Sequence, residues 1–366
     1  MKKVFLIAAA VVAFAACSKN EVLPSSSSIN NEISFNVAPR TKALASDQSA
    51  FGVDNHFISY AYFLTDDKKW PTNAGSIYIN GAEVSSHVDA SATGGRVWKA
   101  ANSYYWPKSE KSSLTFFAWS KNTNECGLAG GATVSCDPQK GIAFTGYDVT
   151  SNKNVDLLVA DVAANKHGNE NLYTYSGVPT LFRHKLSYVI FKVKTQKAYT
   201  GKEFALKSIK FVGLGSKASY DQKANDGTDP VYNTVGEWAA PTATADQVYF
   251  NATTPVVFTD TDFVLETEAT ASVDQKYYLP QALNAVTPGA GVAGSIEVVY
   301  TIKTTEGTAV STETVTRYIS AKSMFADDLK INKKYTCTLT FSLDEITWDP
   351  AVQDWDPVTA ADITIK

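Results

Sequence analysis

Alternation of apolar and polar residues with a period of two is the feature that most limits how this chain can fold. In SYVIFKVKT (187–195), Val189, Phe191 and Val193 share one face. The same pattern recurs at Ile296, Val298, Tyr300 and Ile302, and again at Tyr335, Cys337, Leu339 and Phe341. Such alternation is typical of half-buried strands, and we expect these strands to pair antiparallel.

Further strands are indicated along the whole chain. HFISYAYFL (56–64), SSLTFFAWS (112–120) and NVDLLVADV (154–162) read as strands, and turn-forming clusters such as TNAGS separate them. The glycines of VGLGSKAS (212–219) predict a turn that ends a strand, and SAKSMFADDL (320–329) indicates a helical turn or a strand with a loop. Many short strands without helical partners predict an all-β chain built from β-sandwiches.

The length of 366 residues favours two domains. Pro179 ends a loop directly before a long strand, which makes this region a natural boundary. We therefore predict one β-sandwich over residues 41–183 and a second over residues 184–366.

The chain opens with the pattern of an exported protein. Lys2 and Lys3 precede an apolar run that is too short to span a bilayer, so residues 1–16 are predicted to be a signal peptide. Small residues stand directly before Cys17, as in bacterial lipoproteins, whose cysteine is acylated with chains such as palmitate. The other interpretation is an ordinary secretory signal with an incidental cysteine. A polar, Ser-rich tether follows Cys17.

Charge and cysteine content limit the function further. The formal net charge is −4 and there is no basic run, which gives nucleic-acid binding no electrostatic support. Cys126 and Cys136 flank a Gly-rich loop, and outside the cytoplasm this spacing allows a disulfide, with free thiols as the alternative. Cys337 alternates with Thr in a strand and is expected to be a small buried hydrophobe.

No recognised catalytic or metal-binding motif occurs. The histidines stand apart from one another, and the triad, zinc-protease and phosphate-loop patterns are missing. Asp221, Asp226 and Asp229 do not have the spacing of an EF-hand loop, so a solvated loop is favoured over a weak Ca²⁺ site. We expect no catalytic residue, no metal and no cofactor.

Two functional alternatives remain open from the residues. The first is a permanently anchored surface lipoprotein that binds glycans on a platform of aromatic residues, in which case alanine at Trp106, Trp119 or Trp355 would abolish glycan retention. A hydrolase would need two converging carboxylates, and nothing in the sequence favours such a pair.

The two ends of the chain carry patterns suited to strand pairing. In NEISFNVAPRTKA (31–43), Ile33, Phe35 and Val37 share one face, and Pro39 stops the ladder before Arg40. The C-terminal stretch has apolar residues interrupted by Asp-Pro pairs at 349–350 and 356–357, which predicts two short strand segments. These apolar residues are Ile346, Trp348, Val352, Trp355, Val358, Ile363 and Ile365.

Together these stretches resemble the fimbrillin family, the lipoprotein-derived pilus subunits of anaerobic Gram-negative bacteria. The resemblance covers the whole chain and rests on the order of several loose motifs. They are AACS, APRTKA, LTFFAWS, VDLLVA, LFRHKLSYVIFKVK, YYLPQAL, INKKYTCTLTF and ITWDPAVQDWDP.

The resemblance implies two tandem transthyretin-like antiparallel sandwiches, export as a lipoprotein to the outer membrane, and later incorporation into a surface fimbria. An arginine-specific protease would cut after Arg40, leaving Thr41 as the new N-terminus and removing residues 17–40 with their strand. A donor strand from the C-terminal stretch of another, identical or related, fimbrial subunit would fill the vacated groove, and the fimbria would support adhesion to host or bacterial surfaces. The alternatives are an ordinary loop at Arg40 with a retained strand, and a C-terminal stretch that finishes its own sandwich.

Overall fold

The computed structural model describes residues 32–37, 51–90, 96–168, 177–225, 235–269, 273–287 and 289–355. Its regular elements in chain order are β1 (Phe35–Val37), β2 (Phe57–Leu64), β3 (Ser76–Val88), β4 (Arg96–Ala100), β5 (Ser113–Ser120), β6 (Thr133–Asp137), β7 (Gly141–Asp148), β8 (Leu158–Ala160), β9 (Ala163–Lys166), β10 (Val178–Thr180), β11 (Phe182–His184), β12 (Ser187–Thr195), β13 (Lys202–Asp221), β14 (Glu237–Trp238), β15 (Ala243–Phe258), β16 (Phe263–Val264), α1 (Leu265–Glu268), β17 (Tyr277–Tyr278), β18 (Ser295–Glu306), β19 (Ala309–Ser320), α2 (Ala321–Phe325), β20 (Lys333–Phe341) and β21 (Ile346–Asp354). The chain is all-β, as the alternation predicts.

The described strands form three sheets. The first has the order β10-β1-β4-β3-β2-β5-β8-β11, with β9 paired to β5. The second has the order β16-β12-β20-β21, with β17 paired to β12. The third has the order β19-β18-β13-β7-β6, with β14 and β15 paired to β13.

The second and third sheets bury one core between them. Val189 and Phe191 of β12 lie in the same buried cluster as Tyr300 of β18 and Leu339 of β20. All the inward-facing residues predicted from the alternation of β12, β18 and β20 are buried, including Cys337. The predicted faces of these three strands are therefore confirmed, and the pairing of two apolar faces is the arrangement of a β-sandwich.

The first sheet is apolar on both faces. Along β5, Phe117 and Trp119 belong to one buried cluster, which also contains Phe144 of β7. The alternate residue Phe116 belongs to a different cluster on the opposite face, which contains the side chains of β1. Burial on two sides explains why every residue of β5 is buried and why apolar residues occupy both of its faces.

Pairing differs from the antiparallel prediction at the centre of the second sheet. Strands β12 and β20 run parallel over eight residue pairs, from Tyr188↔Lys334 to Thr195↔Phe341. A parallel pair needs a long connection, and the chain between these strands contains most of the third sheet. The alternation defines the buried face of each strand but does not define its direction, so the expectation of antiparallel pairing was wrong here.

Two local predictions also need correction or refinement. The glycines of 212–219 do not end a strand, because β13 continues through them to Asp221. Gly213 has a φ of +58° at a register shift against β15, so it forms a bulge inside a long strand. The stretch 320–329 contains the short helix α2.

The division into domains at 41–183 and 184–366 stays a prediction. The first half of β13 pairs with β18, and its second half pairs with β7 from the earlier part of the chain. Strand β13 therefore contributes side chains to two buried clusters. One lies between the second and third sheets, and the other contains Phe144 and Trp119.

Candidate functional site

Strand β1 lies between two other strands of the first sheet. Phe35 is opposite Trp98 of β4 in an antiparallel pair, and β1 runs parallel to β10 from Phe35↔Val178 to Val37↔Thr180. The Val178 N–H donates to the Ser34 carbonyl at 2.7 Å. A short strand held on both sides completes the sheet, and its loss would leave two unpaired edges.

The backbone of β10 approaches β1 closely because of a glycine. Gly177 has a φ of +133°, and a Cβ at this position would lie 2.8 Å from the Ser34 carbonyl oxygen and 2.8 Å from the Phe35 carbonyl carbon. A side chain at this position would push against the backbone of the strand itself. The groove that holds β1 is thus narrow on this side.

The apolar face of β1 is buried in the core. Ile33 and Phe35 are each 3% exposed, and Val37 is 9% exposed. The Phe35 ring packs edge-on against Phe57 at 5.4 Å and against Phe116 at 5.9 Å between ring centroids. The three residues that share a face by sequence are therefore brought together in one buried cluster.

A polar contact that the sequence analysis missed fixes the beginning of this segment. The Lys99 ammonium is 2.8 Å from one Glu32 carboxylate oxygen, and the Ser103 hydroxyl donates to the other at 2.6 Å. Hydrogen bonds from Lys99 and Ser103 lower the pKa of Glu32. The only local signal was an acidic residue directly before the alternating face, since its partners lie 67 and 71 residues away.

Glu32→Gln is expected to lower the free energy of unfolding of the uncut chain by about 1 kcal/mol near neutral pH. Because the folded pKa lies below the ordinary value of 4.5, the charge of Glu32 stabilises the fold above pH 4.5. This contribution is lost as the pH falls through the lower folded pKa. Urea unfolding at several pH values should show the difference between wild type and variant shrinking in acid. A constant difference would contradict the assignment.

The C-terminal stretch is paired within the chain's own second sheet. Strand β21 runs antiparallel to β20 from Phe341↔Ile346 to Lys333↔Asp354. The predicted break at Asp349–Pro350 is wrong, because the strand continues through Pro350. An edge strand tolerates proline where its missing N–H would face away from the sheet, and β21 is the edge strand here.

Burial along this stretch is uneven. Ile346 is buried in the core, Trp348 is half-buried against it, and Val352 is 49% exposed. Trp355 is buried, whereas Val358, Ile363 and Ile365 lie outside the described residues. In the described part of the predicted donor segment, Ile346, Trp348 and Trp355 therefore pack on the chain's own fold.

Trp355 is held by a stack of rings. Its centroid lies 3.5 Å from that of His184 and 5.0 Å from that of Tyr188, with nearly parallel planes. The backbone N–H of Trp355 donates to the Asn332 carbonyl at 2.9 Å. His184 is itself fixed by Asp156, with 2.6 Å between the Nδ1 atom and the carboxylate. This stack fastens the chain directly after β21.

The remaining predicted site residues are the positions of lipidation and cleavage and a pair of cysteines. Cys17, Arg40 and Thr41 lie outside the described residues. Cys126 and Cys136 are free cysteines in the structure, and a disulfide between them stays a prediction. Burial raises the pKa of Cys126 to about 12 and also raises that of Cys136, so both thiols are protonated near neutral pH.

The Trp residues give no support to a glycan platform. All seven Trp residues are described, and none is exposed. Trp119 and Trp355 are each 4% exposed, and Trp106 packs against Phe116 at 5.7 Å. These side chains fill cores, as most aromatic residues of sandwiches do.

Two kinds of feature are absent from the described residues. Within these residues, no group of three or more His, Cys, Asp or Glu is arranged to hold a metal ion. In the same part of the chain, no helix has the length and apolar character needed to cross a membrane.

Comparison with solved structures supports the fold. A fimbrial protein from Bacteroides vulgatus is similar, with 18% sequence identity and a TM-score of 0.59, over 89% of this chain and 100% of that chain. A proposed cell adhesion protein from Bacteroides uniformis shares 18% identity with a TM-score of 0.42, over 88% of this chain and 97% of that chain. At 18% identity, the likeness to the Bacteroides vulgatus protein concerns the fold alone.

Comparison by sequence identifies the family. No curated protein matches the chain. The model of the fimbrillin-like family matches residues 58–355, which is most of the length and includes every strand except β1 and the first residue of β2. The chain therefore belongs to the fimbrillin-like family.

Proposed function

We propose that this chain is a structural, non-enzymatic subunit of a cell-surface fimbria and that β1 is a removable strand. The observation that carries the proposal is the position of β1, whose apolar face completes the core and whose backbone is paired on both sides. Arg40 follows Val37 by only three residues, so a cut there would separate the strand from the rest of the fold.

Removal of β1 would expose apolar side chains and unpaired strand edges, so binding of a replacement strand would be favourable. Burying Ile33, Phe35 and Val37 contributes about 1.5–3 kcal/mol each, or roughly 5–9 kcal/mol in total before other costs. A groove without them would expose apolar side chains such as Phe57 and Phe116, together with the edges of β4 and β10. A strand from another fimbrial subunit would restore both the backbone pairs and the buried face.

The donor is proposed to be the end of the C-terminal stretch. Ile346, Trp348 and Trp355 contact the chain's own fold, so they serve as its anchor. We assign to the neighbouring subunit's groove the apolar residues that follow this anchor in the sequence, Val358, Ile363 and Ile365. Val352 is exposed on the edge strand between the two groups.

Export and maturation complete the proposal. Acylation of Cys17 would hold the precursor on the outer membrane, and the retained β1 would keep the groove filled until an arginine-specific protease cuts after Arg40. The protein would then pass from a lipid-anchored form into the fimbrium and take part in adhesion to host or bacterial surfaces. This is control of assembly by proteolysis.

Arg40→Gln is expected to block this maturation. Wild-type protein shed from cells should begin at Thr41, carry no lipid and form SDS-resistant ladders. The variant should stay acylated at Cys17 and form no ladder, because β1 still occupies the groove. Intact mass, N-terminal sequencing and gel electrophoresis measure these outcomes.

Lys42→Gln is the matched control for Arg40→Gln, since it removes a nearby positive charge and leaves the arginine in place. It should mature and assemble like wild type. If Arg40→Gln gave ladders of normal length, or if wild-type fimbriae contained residues 17–40, the proposal would be wrong.

A further inference from the structure

We propose that the groove left by β1 selects its incoming strand by a carboxylate, which Lys99 and Ser103 bind where they now bind Glu32. The strand that fits is residues 362–365 of a second copy of this chain. The inference rests on the proposed function, because the groove opens only when β1 has left.

The selecting groups are built into the groove. Lys99 lies in β4, and both it and Ser103 hold the Glu32 carboxylate at hydrogen-bond distance. The Lys99 and Glu32 side chains are only 24% and 17% exposed, so solvent weakens this pair less than it weakens an ordinary surface pair. When Glu32 leaves with β1, a cation and a hydroxyl donor remain without this acceptor beside an apolar groove.

The segment around β1 has a pattern that an incoming strand must reproduce. The acidic residue Glu32 is followed directly by the apolar residue Ile33, and a second apolar residue, Phe35, stands two positions further on. Because side chains alternate along a strand, these two apolar residues enter the core together while the acid stays at the groove's polar side. Ser34 stands between them, and its carbonyl accepts from Val178.

This pattern recurs at the end of the chain. An acidic residue followed by Ile and then Ser or Thr occurs three times in the sequence, beginning at Glu32, Glu345 and Asp362. In each case the next residue is apolar, namely Phe35, Trp348 or Ile365. The copies that begin at Glu345 and Asp362 therefore both offer an acidic residue and two apolar residues at the spacing found around β1.

The copy at Glu345 is already used by the chain's own fold. Ile346 is buried and pairs with Phe341, and the Glu345 carbonyl accepts from the Ser342 N–H at 2.9 Å. Donating this copy would uncover the core between the second and third sheets. The copy at Asp362 follows the Trp355 anchor, so its donation would leave β21 in place.

The experiment exchanges the charges of the two partners. The full chain is cut with an arginine-specific protease, and ladder formation is followed for wild type, Asp362→Lys, Lys99→Glu and the double variant. Asp362→Lys should slow assembly about tenfold, the lower end for a charge-assisted pair that is partly open to solvent. The double variant should recover to within about threefold of wild type, because the pair is restored with its charges reversed.

Two control variants have the same charge change as Asp362→Lys. Asp356→Lys changes the same stretch outside the repeated pattern and should assemble like wild type. Glu345→Lys changes the copy assigned to the chain's own fold, and it should also leave the rate unchanged. If Glu345→Lys slowed assembly and Asp362→Lys did not, the assignment of the donor residues would be overturned.

A peptide measurement keeps the inference testable if Lys99→Glu fails to fold. The cut wild-type chain is titrated with labelled peptides of residues 31–40 and 358–366, and each is compared with its Glu32→Gln or Asp362→Asn form. Both natural peptides should bind about tenfold more tightly than their uncharged forms. If the 31–40 peptide bound and the 358–366 peptide did not, the inference about the donor strand would be overturned. The proposal that β1 is removable would still stand. If neither bound and no ladder formed, the proposed function would fall as well.

Discussion

Phe35→Ala is expected to lower the free energy of unfolding of the uncut chain by about 3–5 kcal/mol. Phe35 is 3% exposed, and its ring meets both Phe57 and Phe116 edge-on. The substitution would leave a cavity in a core layer formed by three different strands, which cannot close around it easily. Urea unfolding of the acyl-free precursor measures the loss.

Asn36→Ala is the matched control for Phe35→Ala. Asn36 lies in the same strand with its side chain on the other face, and it is only half-buried. Its loss should be within about 1 kcal/mol of zero, as for most sites away from a core. Equal losses for the two variants would mean that β1 contributes through its backbone pairs and not through its apolar face.

Phe35→Ala also tests whether β1 acts as a separable strand. A peptide of residues 31–40 added to the chain that begins at Thr41 should raise its stability, since it binds the folded state. The peptide with Phe35→Ala should have a much smaller effect. A trimmed chain that is as stable as the precursor without any peptide would show that the groove closes by itself and needs no donor.

The sequence predicted strands well where apolar residues alternate or cluster within a short segment. Strands β2, β5, β12, β18 and β20 lie where the patterns indicate, because burial of one face is written into neighbouring residues. The parallel pairing of β12 with β20 was not predictable in this way. It depends on contacts between residues more than a hundred positions apart, which no local period encodes.

The candidate site was predictable only in part for the same reason. The shared face of Ile33, Phe35 and Val37 follows from alternation, and the structure buries all three. The ion pair of Glu32 with Lys99 joins two segments that only the folded sheet brings together. The strand through Pro350 was missed because a proline is compatible with an edge strand, and edge position is a property of the sheet.

Trp355→Ala is the second substitution with a large expected effect, a loss of about 3–5 kcal/mol in the free energy of unfolding. The ring is 4% exposed and stacks between His184 and the Tyr188 and Tyr277 pair. The loss should concentrate at the end of β21, because Val352 and the neighbouring residues of this edge strand are exposed and add little burial of their own. Hydrogen exchange should become faster over 350–355 than in β20.

Trp348→Ala provides the comparison, since it removes the same kind of ring from β21, the strand that Trp355 directly follows. Trp348 is only half-buried and its indole N–H reaches the Ser323 carbonyl at 3.2 Å, so the expected loss is smaller than for Trp355. Equal losses would contradict the role of the ring stack as the anchor. If Trp355→Ala also slows ladder formation while residues 356–366 are intact, the donor must depend on a fixed starting point. With the end of β21 released, the tail would present its strand to a neighbouring groove less often.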